Sequence, residues 1–205
     1  MTAYPVSVIV ATWGGPQWRR LARERAVRSA RMVGAVEVLG VHDPDGDTAS
    51  VRNTAAAAAK GDWLCFLDAD DQLDPAYLEA MAPHLKPGRL LIPAVQYVRG
   101  GVACEASIPN RGGWPDTNDA CVGTLVERDR FLAAGGFVDE FWPWSDWELW
   151  LRLVEQGAER VHVPNAVYVA HERAGSENQR LTRAEALALH ARIKRLHRVV
   201  WETTS

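Results

Sequence analysis

The stretch Trp63–Asp71, W-L-C-F-L-D-A-D-D, constrains the fold more than any other. Five apolar residues, Trp63 to Leu67, follow a Lys60-Gly61-Asp62 turn and stop abruptly at three carboxylates, Asp68, Asp70 and Asp71. A short apolar run bounded by turn residues predicts a strand buried on both faces, as at the centre of a parallel sheet. Side chains at i and i+2 of an extended segment share a side, so Asp68 and Asp70 are expected to project together from the strand's carboxyl end. Open α/β sheets bind ligands at that edge. Like charges this close repel unless a cation lies between them, and a hard divalent ion suits oxygen ligands. The competing reading makes the aspartates a turn and a cap for the next helix. Asp74-Pro75 already supplies that cap, with Asp as N-cap and Pro at the first helical position.

The flanking pattern supports a parallel sheet. Val6–Ala11 reads as a strand, β-branched and nearly continuous in hydrophobicity. After the break at Thr12–Pro16, a helix is expected over Gln17–Val33, with Trp18, Leu21, Ala22, Ala26, Ala30 and Val33 on its apolar face. Val36–Val41 is a second strand, ending in the turn-rich His42–Asp47 loop, and Ser50–Lys60 a second helix. The first seventy residues therefore run β-α-β-α-β, which requires right-handed crossovers.

Further on, a helix is expected over Pro75–Leu85, then a strand over Arg89–Val98 that Pro93 marks as an edge or a bulge. Residues 99–120 read as a long functional or mobile loop. Val122–Glu127 is a strand candidate and Arg128–Ala134 a short helix stopped by Gly135-Gly136. Trp147, Trp150, Leu151 and Val154 share one face of a helix that Ser145-x-x-Glu148 opens as a capping box. Arg160–Val169 reads as a hairpin turned at Pro164-Asn165, Gly175–Gln179 as a mobile polar segment, and Thr182–Trp201 as a last helix.

At 205 residues the chain is expected to be one domain with a full core. A net charge of −3 argues against bulk electrostatic capture of nucleic acid. Three widely spaced cysteines without a C-x-x-C suggest reduced thiols. With no apolar run of spanning length and no signal-peptide pattern, a cytoplasmic protein without a transmembrane segment is expected.

Taken in order, V-S-V-I-V-A-T-W, V-R-N, A-K-G-D-W-L-C-F-L-D-A-D-D, G-G-F-V-D-E-F and S-D-W-E-L-W-L-R resemble the family 2 glycosyltransferases over about residues 5–175. The resemblance implies the GT-A fold, a Rossmann-like three-layer α/β/α sandwich with a mainly parallel central sheet. It divides the single domain into a nucleotide-sugar-binding half, about 1–98, an acceptor and catalytic half, about 99–180, and a C-terminal helix, 181–205. It implies a metal-dependent, inverting transfer of a sugar from a nucleotide-sugar donor, UDP-linked, to an acceptor hydroxyl, with Mn2+ or Mg2+ as cofactor.

On the same resemblance, Asp68-Ala69-Asp70 is the metal motif, with Asp70 the direct ligand and Asp68 near the ribose or a metal-bound water. Thr12 and Trp13 fall where the nucleoside is held. Arg52 matches a residue that can meet the donor phosphates, with Asn53 beside it structural. Where relatives end the second strand with two aspartates, this chain has His42-Asp43; either Asp43 takes over the contact to the base or the base is read differently. Asp146 corresponds to the catalytic base, preceded by Ser145 where many relatives have Glu. Its place in a first helical turn favours the ionised form needed to take a proton. Glu148 is expected to cap rather than catalyse. His171 matches a histidine that some relatives use as a metal ligand, and Trp144 and Trp147 offer an acceptor platform or simply core.

Two other classes remain in view. A nucleotidyltransferase would also use strand-end aspartates and metal, but its Gly-rich phosphate loop is poorly matched by Gly14-Gly15-Pro16. A non-catalytic sugar- or nucleotide-binding module would have no use for a base at Asp146. The acceptor class, whether glycan, protein, lipid-linked sugar or modified nucleobase, is not written in the sequence. Residues 99–120 and 171–180 are expected to close over the donor and exclude water.

Overall fold

The computed structural model describes residues 3–172 and 181–204, so the Gly175–Gln179 segment lies outside the described residues. Strand β1 (Tyr4–Trp13) is flanked by β2 (Ala35–Asp43) and β3 (Trp63–Phe66), both parallel to it. Val6, Val8, Ile9 and all four residues of β3 are buried, as a central parallel strand requires. Ser7 pins the three strands together. Its hydroxyl donates to Glu37 Oε1 (2.6 Å) and accepts from the Gly61 amide (2.8 Å). A side chain at Gly61 would meet the Ser7 nitrogen at 2.6 Å, so glycine is what lets the chain enter β3 there.

The crossover helix α3 (Thr48–Ala58) packs on β1 through Ala55 and Ala56, whose small side chains allow close approach. Asp47 caps it, accepting from Ser50 N at 2.7 Å while Ser50 Oγ accepts from Asp47 N. The long helix expected over 17–33 is instead two, α1 (Pro16–Glu24) and α2 (Ala26–Ala30), broken at Arg25. Tertiary contacts override the periodicity here. Arg25 Nη1 donates to the Asp70 carbonyl (2.7 Å), and Ser29 Oγ accepts from Leu73 N (3.2 Å).

After β3 the chain forms the two-residue β4 (Gln72–Leu73) and the short helix α4 (Tyr77–Met81). Asp74-Pro75 does not cap this helix. Its N-cap is Ala76, and Asp74 makes a turn by accepting from Ala76 N (2.9 Å).

A second sheet, in the order β4-β8-β5-β6, is built on β5 (Arg89–Arg99) and β8 (Glu159–His171), which run parallel; β6 is Val102–Ala103. The hairpin expected over 160–169 is one strand. Its partner register jumps from Val163 to Val167 opposite Pro93-Ala94, so Pro164-Asn165 is absorbed as a bulge. Prolines on both strands remove ladder donors at that point, and the bulge accommodates their loss. Only Val126–Glu127 of the expected 122–127 strand joins the ladder, as β7 antiparallel to β3. Leu125 bridges to Leu91 and joins the two sheets.

Helix α5 (Arg128–Ala133) ends at Gly135 and Gly136, both at positive φ, as expected. Helix α6 (Ser145–Glu155) carries the tryptophan-rich segment. The capping box predicted at Ser145 and Glu148 is absent: the N-cap is Trp144, without a side-chain bond. Glu148 is buried and paired with Arg152 (2.7 Å) and His197 (3.2 Å). The last helix is also two, α7 (Arg183–Leu196) and α8 (Arg198–Thr204), parted at His197, whose ring lies between Glu148 and Glu155. These helices close a small second core of Phe141, Trp147, Leu151, Ile193 and Val200. Among the described residues no helix is long and apolar enough to cross a membrane.

Candidate active site

The parallel register sets the first wall of the site. It aligns Thr12 with His42 and Trp13 with Asp43 at the carboxyl ends of β1 and β2. Thr12 is buried, its hydroxyl 3.0 Å from His42 Nδ1 and donating to the Val41 carbonyl at 3.2 Å. Asp43 is exposed and accepts from the Asp45 amide (3.1 Å), which fixes the loop beyond it. Trp13 is partly exposed and lines a recess of about 260 Å³ with Gly46, Asp47, Thr48, Asp139 and Trp142. A slightly larger recess of about 270 Å³, lined by Gln17, Trp18, Arg20, Leu21 and Glu24, contains none of the strand-end residues.

The acidic segment is a turn and not a strand extension. Strand β3 ends at Phe66, and Asp71 N donates to the Asp68 carbonyl at 3.1 Å. Alternation along an extended strand therefore does not decide where these carboxylates point. Each has its own surroundings. Asp68 pairs with Arg52 Nη2 at 2.5 Å, and Arg52 is buried on α3 with its guanidinium 5.2 Å from the Phe137 ring centroid. Asn53 next to it is structural, as expected, exchanging hydrogen bonds with the backbone N–H and C=O of Phe137 (both 2.9 Å). Asp70 is partly exposed, its backbone held by Arg25.

Asp71 is the strut. It is buried, accepts from Tyr168 Oη (2.8 Å) and from His171 N (2.8 Å), and thereby ties the turn to β8. Burial, then the charges of Asp68 and Asp70, push its carboxyl up to about 8 against those two donors. The sequence did not single out this role. Nothing local distinguishes Asp71 from its neighbours; the partners lie about a hundred residues away, on β8.

His171 comes to the same turn. Its Nε2 lies 2.8 Å from Gln72 Oε1; a carbonyl oxygen there requires the proton on Nε2 and leaves Nδ1 as the lone-pair atom. Burial, then the charge of Arg25, hold its pKa below the usual value, while Asp70 acts the other way. Among the described residues no group of three or more His, Cys, Asp or Glu is arranged to hold a metal ion by itself.

Asp146 stands opposite, in the first turn of α6. Its Oδ1 accepts from Trp147 N (2.8 Å) and its Oδ2 from Asn118 Nδ2 (3.2 Å). Desolvation pushes its pKa up to about 6; the Trp147 amide, Arg52 and Asn118 oppose that rise, and the charge of Asp68 adds to it. Asp146, Arg52 and Asp68 thus share one electrostatic environment although they come from α6, α3 and the acidic turn. Trp147 does not line it. The ring is 3 % exposed and packs in the second core, which corrects its assignment to an acceptor platform. Trp144 is partly exposed, with its ring 5.9 Å from that of Trp147.

The loop 99–120 is fastened at several points. Ser107 pairs with Val95 in an isolated bridge, Asp116 accepts from Lys194 Nζ (3.0 Å) and Trp201 Nε1 (2.8 Å), and buried Asp119 pairs with Arg160 and with His162 (3.1 Å). The guanidinium of Arg160 lies 3.8 Å from the Trp114 ring centroid.

Residues 37–113, from β2 through the acidic turn into this loop, match the family model described as glycosyl transferase family 2, which bears out the family resemblance over that stretch. Among solved structures, S. aureus TarS 1-349 in complex with UDP-GlcNAc superposes over 97 % of this chain and 66 % of its own, at 14 % identity and a TM-score of 0.69. A second crystal structure of S. aureus TarS 1-349 gives 83 % and 60 %, at 16 % identity and a TM-score of 0.57. A longer S. aureus TarS chain gives 84 % and 37 %, at 14 % identity and 0.57. The fold is GT-A, and this chain spans at most 66 % of the length of those solved chains. No curated protein matches it.

Proposed function

We propose that this chain is a metal-dependent, inverting glycosyltransferase that moves a sugar from a UDP-linked donor to an acceptor hydroxyl. The observation that carries the reading is the shared environment of Asp146 and the Asp68–Arg52 pair at the carboxyl ends of the strands. A carboxylate with a pKa near 6 is ionised at neutral pH yet basic enough to accept a proton in a transition state. Asp146 takes the proton of the acceptor hydroxyl as its oxygen attacks the anomeric carbon. The bond from that carbon to the diphosphate oxygen breaks, and the nucleotide leaves with the electron pair. A single displacement, with attack on the face opposite the leaving diphosphate, inverts the centre.

The donor side follows from the other wall. The Trp13 recess would take the nucleoside, with Thr12 and Asp43 at its strand ends. Arg52 supplies fixed positive charge near the phosphates while orienting Asp68. The residues fit a divalent cation: Asp68, Asp70 and Asp71 crowd one turn, and their repulsion is part of what raises Asp71. Asp70 and His171, through Nδ1, would hold Mn2+ or Mg2+. These two ligands among the described residues would suit an ion that completes its shell with water and donor phosphates. When bound, it would offset the charge that develops on the leaving diphosphate. The similarity to a TarS structure holding UDP-GlcNAc supports a nucleotide sugar as donor.

The acceptor would approach past Trp144, from the half beginning near residue 99. A cytoplasmic location belongs to the same reading and is supported by the three free thiols, Cys65, Cys104 and Cys121. The test is hydrolysis of a panel of nucleotide sugars with and without manganese, followed by acceptor screening. Metal-stimulated release of UDP from one donor is expected; no donor turned over under either condition would overturn the reading.

A further inference from the structure

Asn118 lies in the loop before β7 and carries no motif. Its side chain makes two contacts that set its orientation. The Ala120 amide, which can only donate, lies 3.1 Å from Asn118 Oδ1, so the side-chain NH2 must face the other way, toward Asp146 Oδ2 at 3.2 Å. The backbone is held as firmly. The Asn118 carbonyl accepts from Asn110 Nδ2 (2.8 Å), and the next residue, Asp119, is buried against Arg160 and His162 of β8. Asn118 and Asp119 therefore tie the loop to opposite neighbours, one to α6 and one to β8. Asp146 is gripped on both oxygens, by the Trp147 amide on Oδ1 and by Asn118 on Oδ2.

We propose that Asn118 is a positioning residue for Asp146, fixing the plane of its carboxylate through a donor whose direction the Ala120 amide dictates. The proposal rests on the reading of Asp146 as the base. It adds a residue outside the matched stretch 37–113 and makes the 99–120 loop a rigid support for the chemistry on its Asn118 side. A donor on Oδ2 favours the ionised carboxylate. The opposing effect of desolvation is already large at this site, so losing the donor leaves less to hold the charge.

The test is a carboxyl carbon NMR titration of Asp146 in the full chain, compared between wild type, Asn118→Ala and Asn118→Asp. Asn118→Asp keeps an acceptor for the Ala120 amide and the shape of the loop, so it remains informative where the alanine variant does not fold. Asp146 is expected to titrate about one pH unit higher in Asn118→Ala, and higher still in Asn118→Asp, where a like charge replaces the donor. In turnover, the acidic limb of kcat should move up with it while the KM for donor stays unchanged. An unmoved Asp146 titration in a folded variant overturns the proposal whatever the activity. A shifted titration together with undiminished turnover in Asp146→Asn overturns the base reading first, and the positioning role with it.

Discussion

The acidic turn after β3 and the start of α6 hold their carboxylates by opposite means. In the turn, three aspartates crowd together and two of them are balanced by fixed partners: Arg52 on Asp68, Tyr168 and the His171 amide on Asp71. At α6, Asp146 forms no ion pair among the described residues, and two neutral donors hold it in a desolvated recess. The first arrangement suits holding a cation, because two of its carboxylates, Asp68 and Asp71, are pinned beside Asp70. The second suits moving a proton, because burial has lifted the pKa toward neutrality without burying the group completely. On the proposed reading, two sites of similar composition divide binding from chemistry by environment.

The largest effect that would break this comparison is at Asp146. Asp146→Asn should lower turnover by at least about a hundredfold, the usual cost of a lost general base, with donor affinity unchanged. The same variant should be more stable. The folded-state pKa is raised from 3.8 to about 6, so between those values the native state binds more protons than the unfolded one, and stability falls as pH rises through that window. Above it the ionised group costs about 1–3 kcal/mol, which the amide avoids, less the cost of setting its NH2 against one of the two donors. Denaturant melts at pH 7.5 check this; a destabilised variant with normal turnover would make Asp146 a structural residue.

At the turn the expectation is reversed. Asp70→Ala should leave the fold intact and abolish the metal dependence of nucleotide binding. Calorimetry with UDP should give equal affinity in manganese and in chelator for the variant, and tighter binding with manganese for the wild type, by about tenfold or more, equivalent to about 1.4 kcal/mol. Equal affinities in the wild type would remove the cation from the site.

A smaller effect should reveal how the two regions communicate. Arg52 is a cause of lowering at Asp146, so Arg52→Met should move the acidic limb of the activity profile to higher pH. Activity at pH 6 should then fall several-fold more than at pH 8, as expected when a titrating group shifts by a fraction of a unit. A uniform loss at all pH values would confine Arg52 to the donor side.

The smallest effect lies away from both, at His197. Burial acts to lower its pKa, but hydrogen bonds to Glu148 and Glu155 outweigh it and raise it. Its stabilising contribution is therefore full below 6.5 and lost as pH rises through the raised value. His197→Ala should cost about 1–3 kcal/mol at pH 6 and less at pH 9, seen as a shift in the melting midpoint, with little change in nucleotide affinity. A cost independent of pH would show that the ring acts by packing alone.

Sequence by itself determined the elements whose cause is local or periodic. The buried strand at Trp63, the parallel β-α-β-α-β start and the glycine stop after α5 follow from hydrophobic pattern and backbone freedom, which need no distant partner. The helix that carries Asp146 was legible for the same reason, in the spacing of Trp147, Trp150 and Leu151, whereas the role proposed for Asp146 came from the family resemblance. Only the tertiary structure decided the rest. Arg25 broke a helix by reaching Asp70, and Glu148 became a buried partner of His197 instead of a cap. Prolines on β5 and β8 met and made a bulge where a hairpin turn was expected. Asp71 and Asn118 acquired their roles from Tyr168 and Asp146, 97 and 28 residues away. Such roles are invisible to local reading because a side chain's charge and hydrogen bonds are settled by whatever the fold brings against it, and separation along the chain says nothing of that distance.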